Sequence, residues 1–77
     1  MTATEKADPI RVMLVDDHEV VRRGIVTVID ASEALRVIGE ASSVAEANRR
    51  LPAIRPEVLV VDLQLPDGTG IDVMKKA

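Results

Sequence analysis

Apolar residues in this chain fall into three short runs, separated by stretches in which they recur every three or four positions. Ile10 to Val15 (IRVMLV) is apolar except at Arg11, and Val58 to Val61 (VLVV) is apolar throughout. Such continuous runs predict strands covered on both faces, as in a parallel sheet. Leu35 to Ala41 (LRVIGEA) predicts another strand, and its weaker alternation with Gly39 and Glu40 marks it as an edge. After the first strand a helix is predicted from Asp17 or His18 to about Asp30. Val20, Val21, Gly24, Ile25, Val28 and Ile29 form its apolar face, with Arg22, Arg23 and Thr27 opposite. It is rich in β-branched residues, so packing rather than propensity must hold it. Gly24 reads as a close-packing site. A second helix opens on Ser43-Val44-Ala45-Glu46, a capping box in which Ser43 caps an amide and Glu46 reaches back. Its apolar face is Val44, Ala47, Leu51 and Ile54, and Pro52 should kink or end it. Pro56 punctuates before the last strand. A loop from Leu63 to Thr69 follows, and a third helix begins near Gly70 and still runs at Ala77. Met1 to Pro9 reads as a disordered lead-in.

Strands alternating with helices predict an α/β fold with right-handed crossovers and a parallel sheet. Composition narrows this further. The 77 residues include no Cys, Phe, Tyr or Trp, and the formal net charge is −3. A chain this short buries only roughly 60% of its unfolded surface, so one domain is the most it holds. Its core must be aliphatic, without disulfides or thiolate metal sites. Base stacking on aromatics is excluded, and mild acidity argues against direct nucleic-acid contact. Arg22-Arg23 and Arg49-Arg50 read as solvated helix faces. No run reaches membrane-spanning length, and the polar first eight residues carry no signal-peptide core. A soluble, cytoplasmic protein with no membrane partner is the expectation.

The acids carry the chemistry. Asp16 and Asp17 end the first strand and Asp62 ends the third. Open α/β sheets place ligands at the carboxyl ends of their strands. Neighbouring strands lie about 4.8 Å apart, so the three carboxylates can share one pocket. They repel one another there, and at least one pKa should rise unless a counter-ion is present. A divalent cation removes that cost. An oxygen-rich, highly charged site suits Mg²⁺, or Mn²⁺ in its place, better than zinc. Such an ion keeps positions open for phosphate oxygens, which points to phosphoryl transfer onto a carboxylate. In a pocket already rich in oxygen, His18 reads as a first-turn residue facing solvent. Pro66-Asp67-Gly68 reads as turn chemistry.

Three segments carry a family resemblance: LVDDHEVVRRG, GEASSVAEA and VLVVDLQLPDGTGIDVM, in this order from about Ile10 to the last residue. Together they resemble the receiver domain of bacterial two-component response regulators. DDHEVVRRG with DLQLPDGTGI is most similar to the subfamily with a C-terminal helix-turn-helix DNA-binding domain. The resemblance implies a flavodoxin-like, doubly wound parallel sheet of five strands in the order 2-1-3-4-5. Residues 10–77 would then be the N-terminal part of the receiver, its first three β-α units in the order 2-1-3. The fourth and fifth strands, with their Ser or Thr and their Lys, would lie past the last residue. Lys75 and Lys76 do not replace that Lys, because they fall in the third helix.

By the same resemblance Asp62 is the phosphoacceptor. Asp17 binds Mg²⁺ directly, Asp16 does so directly or through water, and the main-chain carbonyl of Gln64 is a further ligand, while Pro66 and Gly68 shape the loop. The donor is a sensor histidine kinase, and DNA is reached only through the C-terminal domain. The protein would be a signalling switch rather than a turnover enzyme. DGT at Asp67 is also similar to aspartate-nucleophile phosphatases, but Leu65 stands where their nucleophile belongs. An apolar third strand at the sheet edge recruits other strands, so self-association through it or by swapped elements is expected. An interaction module independent of phosphorylation is the alternative function.

Overall fold

The computed structural model describes residues 8–76, so most of the expected lead-in lies outside the described residues. Its parallel sheet has the order β2-β1-β3, from β1 (Ile10–Val15), β2 (Leu35–Ala41) and β3 (Val58–Val61). Strand limits and order agree with the sequence reading. Three helices accompany it: α1 (Glu19–Asp30), α2 (Val44–Ile54) and α3 (Gly70–Lys76). The chain steps from β1 to one neighbour and then back past β1 to the other. Right-handed crossovers therefore put α1 and α2 on opposite faces.

β1 is central and sealed, with Val12 to Val15 at most 2% exposed. Met13 and Val15 join Ala41, Ala47, Leu65 and Val73 in the main core, on the face covered by α2 and α3. Val12 and Leu14 alternate to the other face. β2 is an edge, as expected, and its register slips opposite Val12 and Met13. There Gly39 lets Ile54 approach so closely that a Cβ would lie 2.5 Å from Ile54 Cδ1. Among the described residues no helix is long and apolar enough to cross a membrane.

Two helices differ from expectation. In α1, Val20 and Val28 are 85% and 73% exposed, and the half-buried stripe is Arg22, Ile25, Val26 and Ile29. These sit at i, i+3, i+4 and i+7, a coherent helical face. Arg22 sets the rotation, because its guanidinium bonds Glu40 Oε1 at 2.9 Å and the Asp16 carbonyl at 2.6 Å. Gly24 is not a packing site, since a Cβ there would meet nothing within 4 Å. Gly24→Ala should therefore raise stability by about 0.5–1 kcal/mol through helix propensity alone. Urea unfolding of the two chains checks it, and a lower midpoint for the alanine variant would contradict it.

α2 runs two residues past Pro52, which neither ends it nor halts the backbone before Ile54. It closes on Arg55, left-handed at φ 50° and ψ 60°, whose amide bonds the Leu51 carbonyl at 2.8 Å. Docking of Leu51 and Ile54 against the core outweighs the bond that proline cannot donate.

Candidate functional site

Both strand ends extend their ladders into the acids. The Asp16 amide donates to the Ala41 carbonyl at 3.0 Å and the Asp62 amide to the Val15 carbonyl at 2.8 Å. Asp16, Asp17 and Asp62 thus leave adjacent strand ends at one place, as the sequence predicted. Each offers a carboxylate oxygen, and with a ring nitrogen of His18 these four atoms lie within 4.8 Å of one another. Their side chains are 14%, 33% and 28% exposed, half-sheltered but reachable from solvent.

His18 is exposed at the start of α1, as expected, yet its ring lies against the acids. Its amide donates to Asp16 Oδ1 at 2.8 Å, a local turn that folds residue 18 back over the strand end. Nδ1 then lies 2.9 Å from Asp16 Oδ1, 3.1 Å from Asp17 Oδ1 and 3.5 Å from Asp62 Oδ2. The hydrogen bond to Asp16, with the charges of Asp17 and Asp16, holds the His18 pKa above its usual value. Asp16 moves opposite to the rise that crowded carboxylates suggest. Burial pushes it up, but bonds from the His18 amide and ring, with the His18 and Arg22 charges, outweigh that and lower it. The chain thus supplies its own counter-charge.

The segment after Asp62 is more ordered than a plain loop. β4 (Gln64–Leu65) and β5 (Gly68–Thr69) form a small antiparallel hairpin, distinct from the fourth and fifth sheet strands of a receiver. Gln64 is tied to the acid directly, its amide donating to Asp62 Oδ1 at 3.1 Å. Leu65 is buried and anchors the hairpin to the core. α3 opens on a reciprocal cap: the Thr69 amide donates to Asp72 Oδ2 at 3.0 Å and the Asp72 amide to Thr69 Oγ1 at 3.2 Å.

Asp67 contributes more than turn chemistry. Its two oxygens accept the Val44 and Ala45 amides at 2.7 and 2.9 Å. Ser43 Oγ accepts the Glu46 amide at 3.0 Å, and the Ser43 carbonyl accepts that of Ala47 at 3.0 Å. The Val44, Ala45 and Glu46 amides, three of the free amides at the start of α2, are thereby satisfied by side chains, and the Ala47 bond is the helix's first. The Ala45 and Val44 amides hold Asp67 below the usual aspartate range. Glu46 reaches back to the Ser42 amide and hydroxyl, one residue earlier than a capping box prescribes. The partners of Asp67 lie more than twenty positions away, so no local pattern announced it.

Gly70 was equally hidden. It is buried, and a Cβ there would lie 2.5 Å from the Asp62 carbonyl oxygen. Its φ is not positive, so space rather than conformation requires glycine. Of the arginines read as solvated, Arg22 is half-buried, and Arg50 bonds the Glu40 carbonyl while lying 3.8 Å from Glu46 Oε2.

The donor set suits a hard divalent ion. Three carboxylates converge with partial exposure, which leaves room for water and an incoming oxyanion.

Comparison with known proteins bears on the same residues. The sequence model of the response regulator receiver domain matches residues 12–76. The DNA-binding transcriptional activator DevR/DosR of Mycobacterium tuberculosis is 58% identical over 66 residues, which are 86% of this chain and 30% of that protein. The transcriptional regulatory protein LiaR of Bacillus subtilis is 40% identical over 67 residues, 87% of this chain and 32% of that protein. The chain spans about a third of the length of these curated relatives. Among solved structures, a two-component response regulator of the LuxR family from Aurantimonas sp. SI85-9A1 superposes with a TM-score of 0.82 at 37% identity. That match covers 87% of this chain and 48% of the other.

Proposed function

Because this chain belongs to the response regulator receiver domain family, we propose that it is the phosphoacceptor segment of a transcription-regulating switch, with Asp62 taking a phosphoryl group from a sensor histidine kinase. The observation that carries this reading is the convergence of Asp16, Asp17 and Asp62 within 4.8 Å at the carboxyl end of the sheet. Asp16, Asp17, Asp62 and the main-chain carbonyl of Gln64 would hold Mg²⁺, or Mn²⁺ in its place. The ion would neutralise charge on the transferring group. A carboxylate oxygen of Asp62 attacks the phosphorus of the kinase phosphohistidine. The new O–P bond forms as the N–P bond breaks, and the imidazole leaves with the electron pair. The Gln64 amide fixes one Asp62 oxygen, and the Gly70 contact limits where its peptide can move. DevR/DosR is a DNA-binding transcriptional activator and LiaR a transcriptional regulatory protein, which supports an output in transcription through DNA contacts outside this segment.

Intact-mass measurement after incubation with acetyl phosphate and Mg²⁺ tests the assignment. One phosphoryl group is expected on the wild type and none on Asp62→Asn. An adduct that persists in Asp62→Asn, or forms equally well without Mg²⁺, would overturn it.

One observation favours a second reading, self-association independent of phosphate. Among the described residues β3 pairs only with β1, and its Val58 and Val60 are 43% and 40% exposed. Exposed apolar edges recruit further strands. A polypeptide of these 77 residues should then sediment as more than one chain, with Asp62→Asn unchanged. A mass of one chain at all concentrations would eliminate this reading.

A further inference from the structure

The hairpin after Asp62 is too small to hold its own shape. Its strands β4 and β5 have two residues each, and even a longer isolated two-stranded hairpin is marginal in water. What it is tied to therefore decides where it sits. At its base the Gln64 amide bonds Asp62 Oδ1, and Leu65 plants the same arm in the core. At its tip Asp67 reaches another element: its two oxygens accept the Val44 and Ala45 amides at 2.7 and 2.9 Å. Gly68 fits the same contact, since a Cβ there would lie 3.0 Å from Val44 Cγ2. Tip and helix thus meet by shape as well as by charge. α2 is a firm support, with Ala47 buried in the core and Val44, Leu51 and Ile54 packed against it. The helix also carries a cap of its own, because Ser43 Oγ accepts the Glu46 amide. Water serves first-turn amides equally well. The two bonds from Asp67 therefore fix the hairpin more than they build the helix.

We propose that Asp67 is a positioning residue of the phosphoacceptor site: by clamping the hairpin tip to α2 it fixes Gln64, and through the Gln64 amide the Asp62 carboxylate, in the orientation that accepts the phosphoryl group. The inference rests on the reading of Asp62 as the acceptor. Asp67 itself touches none of the reacting atoms. Its leverage comes from Gln64, whose amide holds one Asp62 oxygen and whose carbonyl is the main-chain ligand proposed above. Both groups ride on one short arm, and a displacement of about 1 Å at reacting groups can cost up to about 100-fold in rate.

Ser43 supplies the control, because it caps the same helix end without touching the hairpin. Asp67→Ala and Ser43→Ala each remove side-chain bonds to α2 amides, so both should lower the melting temperature. Only Asp67→Ala should slow acyl-phosphate formation from acetyl phosphate and Mg²⁺, by about tenfold. In ¹⁵N-¹H spectra recorded without phosphoryl donor, the Gln64 amide resonance should move in Asp67→Ala and stay in place in Ser43→Ala. An Asp67→Ala chain that is phosphorylated at the wild-type rate would overturn the proposal. So would equal slowing by Ser43→Ala, which would reduce Asp67 to a second helix cap. A wild type that takes no phosphoryl group would overturn the phosphoacceptor reading instead, and the Gln64 resonance would then decide the clamping of the hairpin by itself.

Discussion

Gly70→Ala is expected to destabilise the chain by about 1–3 kcal/mol and to impair phosphorylation of Asp62. The added methyl would lie 2.5 Å from the Asp62 carbonyl oxygen, 3.2 Å from its carbon and 3.2 Å from Val61 Cγ2. Two of these atoms are backbone, so no rotamer change relieves the clash. Either α3 retreats or the Asp62 peptide moves. Retreat strains the bond from the Gly70 amide to the Leu63 carbonyl and lifts Val73 from the core. Movement of the peptide shifts the carboxylate relative to Asp16 and Asp17. Gly24→Ala is the same chemical change with the opposite expected sign, because position 24 faces open space. Urea unfolding and acyl-phosphate yield, measured on both variants, separate packing from propensity. A Gly70→Ala chain that unfolds and is phosphorylated like the wild type would show that α3 can yield at no cost.

Those two glycines also show where the sequence stops being legible. Nothing local separates them, since the difference lies in what another part of the chain brings up to each. The strands were legible because Ile10 to Val15 and Val58 to Val61 are apolar without interruption, which only a doubly covered strand needs. The acids were legible because strand ends in a parallel sheet converge wherever their neighbours are known. The rotation of α1 was not, since six apolar positions spread too widely to select a face and a half-buried arginine chose it. The β4–β5 hairpin has strands of two residues each, shorter than any period can register. His18 was legible as an exposed residue, but its approach to the acids was not, because that approach follows from a side-chain turn closed by Asp16 two residues before it.

Asp17→Ala is expected to slow phosphorylation of Asp62 by about 100-fold at limiting Mg²⁺, roughly 2.7 kcal/mol of barrier, without loss of fold. Asp17 is poorly placed to be structural. Its side chain is a third exposed, and its ion-pair contact in the structure is with His18, at 3.1 Å. Truncating it removes a like charge from beside Asp16 and Asp62, so the metal-free variant should melt no lower than the wild type. If the variant melts no lower, Asp17 adds no stability where it stands beside Asp62, and a residue of that kind is kept for its chemistry. The dependence on Mg²⁺ then says what that chemistry is. If Asp17 contributes only affinity for the ion, high Mg²⁺ restores most of the rate. If it also fixes the ion against the phosphoryl oxygens, the rate stays low at saturation. Initial rates of acyl-phosphate formation over a Mg²⁺ series, beside thermal melts, distinguish these. A variant as fast as the wild type at every concentration would leave Asp16 and Asp62 to hold the ion and would remove Asp17 from the site.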